Sequence, residues 1–120
     1  MSQNFQAGDD LIFQIESGYG LIRILAIDDA GNGDKIWHLS AFNELFLDVE
    51  TAEAALANSS NLTLAAPHFA VTQRAFDSTQ VARLDNRPLS EDEIQRVAKW
   101  RENPDAEISD RSVRLMLGLR

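Results

Sequence analysis

Three short runs of β-branched and aromatic residues, joined by short loops that contain glycine, constrain the fold of this 120-residue chain most strongly. The runs cover residues 11–15, 21–27 and 36–42. Asn-Gly and acidic residues in the loops favour tight turns. Because parallel neighbours need crossover connections of about a dozen residues or more, such short loops predict an antiparallel meander. A dinucleotide-binding βαβ unit is thereby disfavoured.

The middle of the chain predicts one short helix and further extended segments. Residues 50–58 are rich in alanine and other good helix formers. Residues 62–64 and 68–76 are expected to be extended, with Pro67 breaking any helix between them. Residues 79–84 form another candidate strand, which ends before Pro88.

The clearest local prediction is a helix that begins at Ser90. Ser90 and Glu93 have the spacing of a capping box, and Leu89 and Ile94 have that of a hydrophobic staple. Asn103 and Pro104 should end the helix. Its sheet-facing stripe is expected to contain Ile94, Val97 and Ala98, with Trp100 and Arg101 nearby.

The last segment, residues 109–117, fits two structures. A helix would turn Val113, Met116 and Leu117 inward, whereas the alternation at 112–115 also fits a strand.

These patterns predict one α+β domain over residues 1–120, sheet-rich in 8–84 and helical in 90–117. The expected architecture is an antiparallel sheet of about five strands with one or two helices packed against it. The composition, 44% hydrophobic and 25% charged, is that of a soluble globular protein. No cysteine, no membrane-length apolar stretch and no signal-peptide pattern at the start together favour the cytoplasm and argue against a membrane partner.

Charge is distributed unequally along the chain. Residues 1–60 contain six Asp and four Glu against Arg23 and Lys35, whereas residues 61–120 balance nine acids with nine bases. The net charge of −8 therefore comes from the first half, which argues against nucleic acid as a direct ligand. The arginines of the second half lie near acids and are expected to form surface ion pairs.

Chemical motifs are missing from the sequence, so we expect no catalytic residues, no metal site and no cofactor. The segment 18–20 lacks the third glycine of a dinucleotide loop, and no phosphate-binding loop or nucleophile elbow exists. The loop 28–34 departs from a calcium-binding loop at Ala30 and at Leu39.

Acidity without catalytic chemistry favours binding of a basic protein partner. The candidate contact residues are the turn aspartates Asp9, Asp10, Asp28, Asp29 and Asp34. In a meander, the start of the first strand and the loop after the second lie at one rim of the sheet. The 18–20 turn should lie at the opposite rim.

Two other functions fit the sequence. A small-ligand-binding or enzymatic module would gather Trp37, His38 and His68 in a pocket at the sheet. An accessory oligomerising domain would bury exposed aromatic residues against a second copy, with Phe5, Phe42 and Phe46 as candidates.

Several short motifs resemble one protein family. The segments GDDLIFQI at 8–15 and YGLIRIL at 19–25 resemble the start of bacterial immunity proteins from polymorphic toxin systems, which begin with a GD turn, an extended segment and a YG turn. PHFAV at 67–71 and RPLS at 87–90, with Trp100 at the end of the helix, are similar to that family's second half. The resemblance implies a small, strongly curled sheet, like a Src-homology-3-type barrel with helical additions, and a role in neutralising a toxin.

Overall fold

A computed structural model describes residues 4–119 and contains a five-stranded, fully antiparallel sheet with helices, which confirms the α+β prediction. The strands are β1 (Asp9–Ile15), β2 (Gly18–Asp29), β3 (Lys35–Phe46), β4 (Leu64–Thr72) and β5 (Val81–Asn86). Their order in the sheet is β4-β3-β2-β1-β5, so the first three strands form the predicted meander. The sheet is open, with β4 and β5 at its edges.

The helices are α1 (Val49–Ala57), α2 (Gln73–Asp77), α3 (Glu91–Glu102) and α4 (Val113–Met116), and a 3-10 turn covers Ser59–Asn61. The predicted capping box of α3 is present, because Ser90 and Glu93 each bond the other's backbone N–H. The last segment uses both structures that its sequence allows. Ser109 bridges to Val71 of β4, and residues 113–116 are helical.

The segment around β4 differs from the prediction in two ways. One strand runs through Pro67 instead of two segments on either side of it. Proline is tolerated there because β4 is an edge strand. Residues 73–76, expected to be extended, are helical, because the Thr72 side chain accepts a hydrogen bond from the Ala75 N–H and caps α2.

Each face of the sheet has its own core. The first face holds the larger core, which includes Leu11, Ile22, Leu39, Val71 and Phe76. The second face buries Ile12 and Leu21 beneath Ala52 and Leu56 of α1, and α3 lies farther along the same face.

Residues predicted to mediate self-association belong to these cores. Phe5 packs edge-on against Trp37 and Phe76 on the first face, and Phe42 and Phe46 pack into the core of the second. The three Phe side chains are only partly exposed, and an oligomer contact through them stays a prediction.

Two residues predicted to face inward are exposed. Ile94 of α3 is 46% exposed and Met116 of α4 is 38% exposed, whereas Val97 and Val113 are buried. α4 has only four residues, and α3 rests partly on polar side chains. Each helix therefore buries fewer apolar side chains than its sequence periodicity predicts.

Gly18 lies against the end of β3, where no side chain fits. A Cβ atom at Gly18 would collide with the carbonyl oxygen of Phe46. Because that obstacle is backbone, we expect Gly18→Ala to lower the free energy of unfolding by about 1–3 kcal/mol, measured by urea denaturation with tryptophan fluorescence. Ser17→Ala, one residue earlier in the exposed turn, is the control and should change it by less than about 0.5 kcal/mol. Equal stabilities of the two variants would show that the turn can move away from β3.

Within residues 4–119, no helix combines the length and apolar character that crossing a membrane requires.

Candidate functional site

The predicted contact residues Asp9 and Asp10 are fully buried. They belong to β1, which lies between β2 and β5, and are not part of an open turn. Asp10 accepts hydrogen bonds from Arg87 at 2.6 and 2.9 Å and from Arg23 at 3.3 Å. Asp9 accepts from Asn86 at 2.7 Å. The expectation that these two carboxylates face a partner is therefore wrong, because internal cationic and amide groups neutralise and cover them.

The predicted rim geometry holds only in part. The start of β1 and the end of β2 lie toward the same end of the sheet. The turn at 18–20 lies at the opposite end. However, Asp10 pairs with Arg23, and Asp29 lies six residues farther along β2, a distance of about 20 Å along a strand. The two groups of aspartates therefore do not form one patch.

The hairpin between β2 and β3 keeps two of the aspartates exposed. Asp29 and Asp34 are exposed, and the turn is closed by hydrogen bonds from the Gly31 N–H to Asp29 and from the Asp34 N–H to Asn32. Their contact with a partner stays a prediction. Asp28 instead turns toward α3, where Arg101 binds it through Nη2 at 2.5 Å and Nε at 3.1 Å.

Asp28 belongs to a polar cluster that also contains both histidines of the chain. His38 Nε2 lies 2.9 Å from Asp28 Oδ2, and His38 Nδ1 lies 2.9 Å from His68 Nε2. The Trp100 ring from α3 stands edge-on to His38, with centroids 4.7 Å apart. The predicted convergence of His38 and His68 is thus present, in a row that runs from Arg101 through Asp28 and His38 to His68.

Both imidazoles of this row have a pKa below the ordinary histidine value. Burial lowers the pKa of His38, and it lowers the pKa of His68 to about 4, helped by the charges of His38 and Arg96. The hydrogen bond from Arg101 lowers the pKa of Asp28, and His38 adds to that effect. His38 Nε2–H donates to Asp28, and His68 Nε2–H donates to His38 Nδ1. Both hydrogen bonds therefore form with one proton on each imidazole ring.

Trp37 is not part of this cluster, contrary to the prediction. It lies on the first face, where its ring stacks on Phe76 at 3.9 Å and its Nε1–H donates to Gln73. Successive residues of a strand face opposite sides, so Trp37 and His38 cannot share a pocket. The tryptophan that lies beside the two histidines is Trp100 instead of Trp37.

The histidine row has little capacity for ligand chemistry. His38 is fully buried, and both of its ring nitrogens already have partners. No three His, Cys, Asp or Glu side chains within 4–119 are arranged to hold a metal ion. The row therefore acts as a link that ties α3 to the sheet.

Arg23 is the centre of a second polar network, which the sequence patterns did not predict. Its side chain is 4% exposed and makes six hydrogen bonds. The acceptors are the carboxylates of Asp10 and Glu93 and the backbone carbonyls of Gly8, Arg87 and Pro88. Burial opposes the ionisation of Glu93, but hydrogen bonds from Arg23 and Ser90 outweigh it and lower the pKa. The sequence feature that could have indicated this network is Arg23 itself, a single arginine within the apolar run 21–27.

Three further exposed acids of the first half, Glu16, Asp48 and Glu50, lie toward the rim opposite the β2–β3 hairpin. Gly18 touches Phe46 and Leu47, so the β1–β2 turn lies beside the β3–α1 connection. We call this surface the acidic rim and define it by Glu16, Leu45, Leu47, Asp48 and Glu50. Within the described part of the chain, none of its three acids has a cationic partner within 4.0 Å.

The acidic rim also exposes two leucines. Leu47 is 85% exposed and Leu45 is 48% exposed. Asp48 is held in place as the N-cap of α1, accepting from the Thr51 N–H at 2.7 Å, and this hydrogen bonding lowers its pKa. The rim therefore combines protruding apolar side chains with fixed negative charge.

A cavity of about 450 Å³ is lined by both Glu16 and Arg114. Comparison with known proteins adds no assignment: no protein-family model, curated protein or solved structure matches the chain.

Proposed function

We propose that this protein is a non-enzymatic binding domain that docks a basic protein on the acidic rim. The observation that supports the proposal is the pairing of Leu47, 85% exposed, with acids that have no cationic partner within residues 4–119. Protein interfaces typically combine apolar contacts at the centre with a polar surround. The net charge of −8 would also speed encounter with a basic partner.

The internal pairing of three other acids supports this proposal. Asp9, Asp10 and Asp28 each have an arginine partner, so they add little to the field at the surface. The acids of the acidic rim lack such partners among the described residues, and an incoming Lys or Arg would supply them. Each exposed ion pair contributes only about 0.2–1 kcal/mol to binding. The leucines would therefore provide most of the affinity, and the acids would steer and orient the partner.

We propose further that the partner is a toxin and that the chain acts as an immunity protein. The support is the motif resemblance at 8–15 and 19–25 together with the open antiparallel sheet that these segments build. A strong curl of the sheet belongs to the same proposal. Register shifts in β2, β3 and β4 support it, because bulges bend the strands that contain them.

The proposal predicts which substitutions weaken binding to a basic toxin domain encoded beside this gene. We expect Leu47→Ala combined with Glu16→Lys to weaken binding at least tenfold by isothermal titration calorimetry. The reason is that the variant removes an apolar contact and reverses a steering charge. The affinity of the parent protein should fall steeply with added salt, and the variant's affinity should fall less steeply.

The matched control reverses exposed acids at the other rim. Asp29→Lys combined with Asp34→Lys changes the net charge by four units, more than the rim variant does, and should weaken binding less. If the hairpin variant lost affinity and the rim variant kept it, the docking surface would be the predicted hairpin. Equal small losses from both variants would contradict a specific acidic contact.

A further inference from the structure

A polar groove lies on the second face of the sheet, between the start of α3 and the 3-10 turn. It has a volume of about 300 Å³. Its lining includes the buried residues Ser40 and Arg23 together with Phe42, Leu64, Arg87 and Ser90. Glu93 also lines the groove, and its carboxylate accepts hydrogen bonds from Arg23 and from the Ser90 N–H. The acidic rim contributes no residue to this lining, so ligand binding in the groove does not depend on how a protein partner docks.

Ser40 is an anomaly in this groove. The residue is 1% exposed, and its hydroxyl has no hydrogen-bond partner within residues 4–119. Buried hydroxyl groups in native proteins are nearly always hydrogen-bonded, so one without a partner in the chain points to a bound water, ion or ligand. Ser40 lines the cavity directly, and a bound polar atom would satisfy it.

Cationic donors in the groove differ in their availability. All three nitrogens of Arg23 are engaged by protein acceptors. Arg96 is engaged by Asp92 and by the Pro67 carbonyl. Arg87 donates to Asp10 through Nε and Nη2, and its Nη1 has no acceptor among the described residues.

We propose that this groove binds a small organic carboxylate that has a further hydroxyl or carbonyl group. The Arg87 guanidinium offers a charge-assisted hydrogen bond to the carboxylate. The second polar group of the ligand would hydrogen-bond the Ser40 hydroxyl, and Phe42 and Leu64 would contact its carbon atoms. The volume admits a ligand of a few carbon atoms.

The test uses lactate, pyruvate and succinate as probes, titrated into the ¹⁵N-labelled protein up to about 50 mM. We expect saturable amide shifts at residues 40–42 and 87–90 with at least one probe. Lactamide, which lacks the negative charge, should bind at least fivefold more weakly than lactate. Sulfate should not reproduce the shifts, because it has no carbon chain to contact Phe42.

Variants separate ligand binding from a structural role of Ser40. Ser40→Ala should weaken probe binding at least fivefold and leave the urea midpoint unchanged or raised, because the hydroxyl has no partner within residues 4–119 to lose. Thr79→Val is the control. It removes the other buried hydroxyl that has no partner within residues 4–119, which lines a different cavity, and it should leave probe binding unchanged. Absence of saturable shifts with all three probes would overturn the proposal. A lowered urea midpoint for Ser40→Ala would overturn it too, since it would reveal an internal partner.

Discussion

Replacing Arg23 with Met is expected to lower the free energy of unfolding by about 3–5 kcal/mol. Arg23 is 4% exposed and pairs with two carboxylates, Asp10 and Glu93, and its removal would also strip donors from buried carbonyl groups. Asp10 would keep Arg87, so the cost falls mostly on Glu93 and the carbonyls. Urea denaturation followed by tryptophan fluorescence measures the change.

Arg74→Met is the matched control for this prediction. Arg74 also pairs with a carboxylate, that of Asp110, but its side chain is 82% exposed. Exposed pairs are worth little, so we expect a change below about 1 kcal/mol. Arg23→Lys should fall between the two variants, because an ammonium keeps the charge but not the geometry of the guanidinium. If Arg23→Met were as stable as Arg74→Met, the network would not hold the start of α3 to the sheet.

Stability is expected to fall by about 2 kcal/mol as the pH drops from about 6.5 to about 4, through the histidine row. The pKa of His68 is lowered to about 4 from its ordinary value of 6.5, with burial as the main cause. Between these values the unfolded chain binds a proton that the folded protein excludes. The stabilisation is therefore complete above about pH 6.5 and is lost as the pH falls through the folded pKa.

His68→Gln provides the comparison for the pH dependence. The chain has only two histidines, so this variant leaves His38 as the remaining imidazole. We expect the urea midpoint of His68→Gln to depend less on pH between 6.5 and 4 than that of the parent protein. Parallel pH profiles for the two proteins would show that His68 is protonated as easily in the folded state as in the unfolded one.

The sequence predicted the fold wherever local chemistry decides the structure. The three-strand meander and the Ser90 capping box follow from turn residues and caps, and both are present. Predictions failed where tertiary position decides. Pro67 is accommodated because β4 happens to be an edge strand, and Ile94 is exposed because α3 rests on the sheet through Val97 and polar contacts. Strand order and edge position cannot be deduced from local periodicity.

The candidate site was predictable in composition but not in pairing. The charge imbalance of the first half predicted an acidic surface, but the residues chosen for it include Asp10, which is buried against Arg87, and omit Glu50, which is exposed. The two residues of each buried ion pair lie far apart in the chain. Counting charges along the sequence therefore does not show which acids are paired. The surface pairs expected for the second half do exist at Arg74 and Arg96, whereas Arg87 reaches a buried carboxylate.

The location of the docking surface is the central claim of the proposed function, and amide hydrogen exchange of a complex with the proposed basic partner tests it most directly. Binding on the acidic rim predicts slowed exchange at residues 16–18 and 45–50, with residues 29–34 exchanging as in the free protein. Slowed exchange at 29–34 together with unchanged exchange at 16–18 and 45–50 would contradict the account and return the contact to the β2–β3 hairpin.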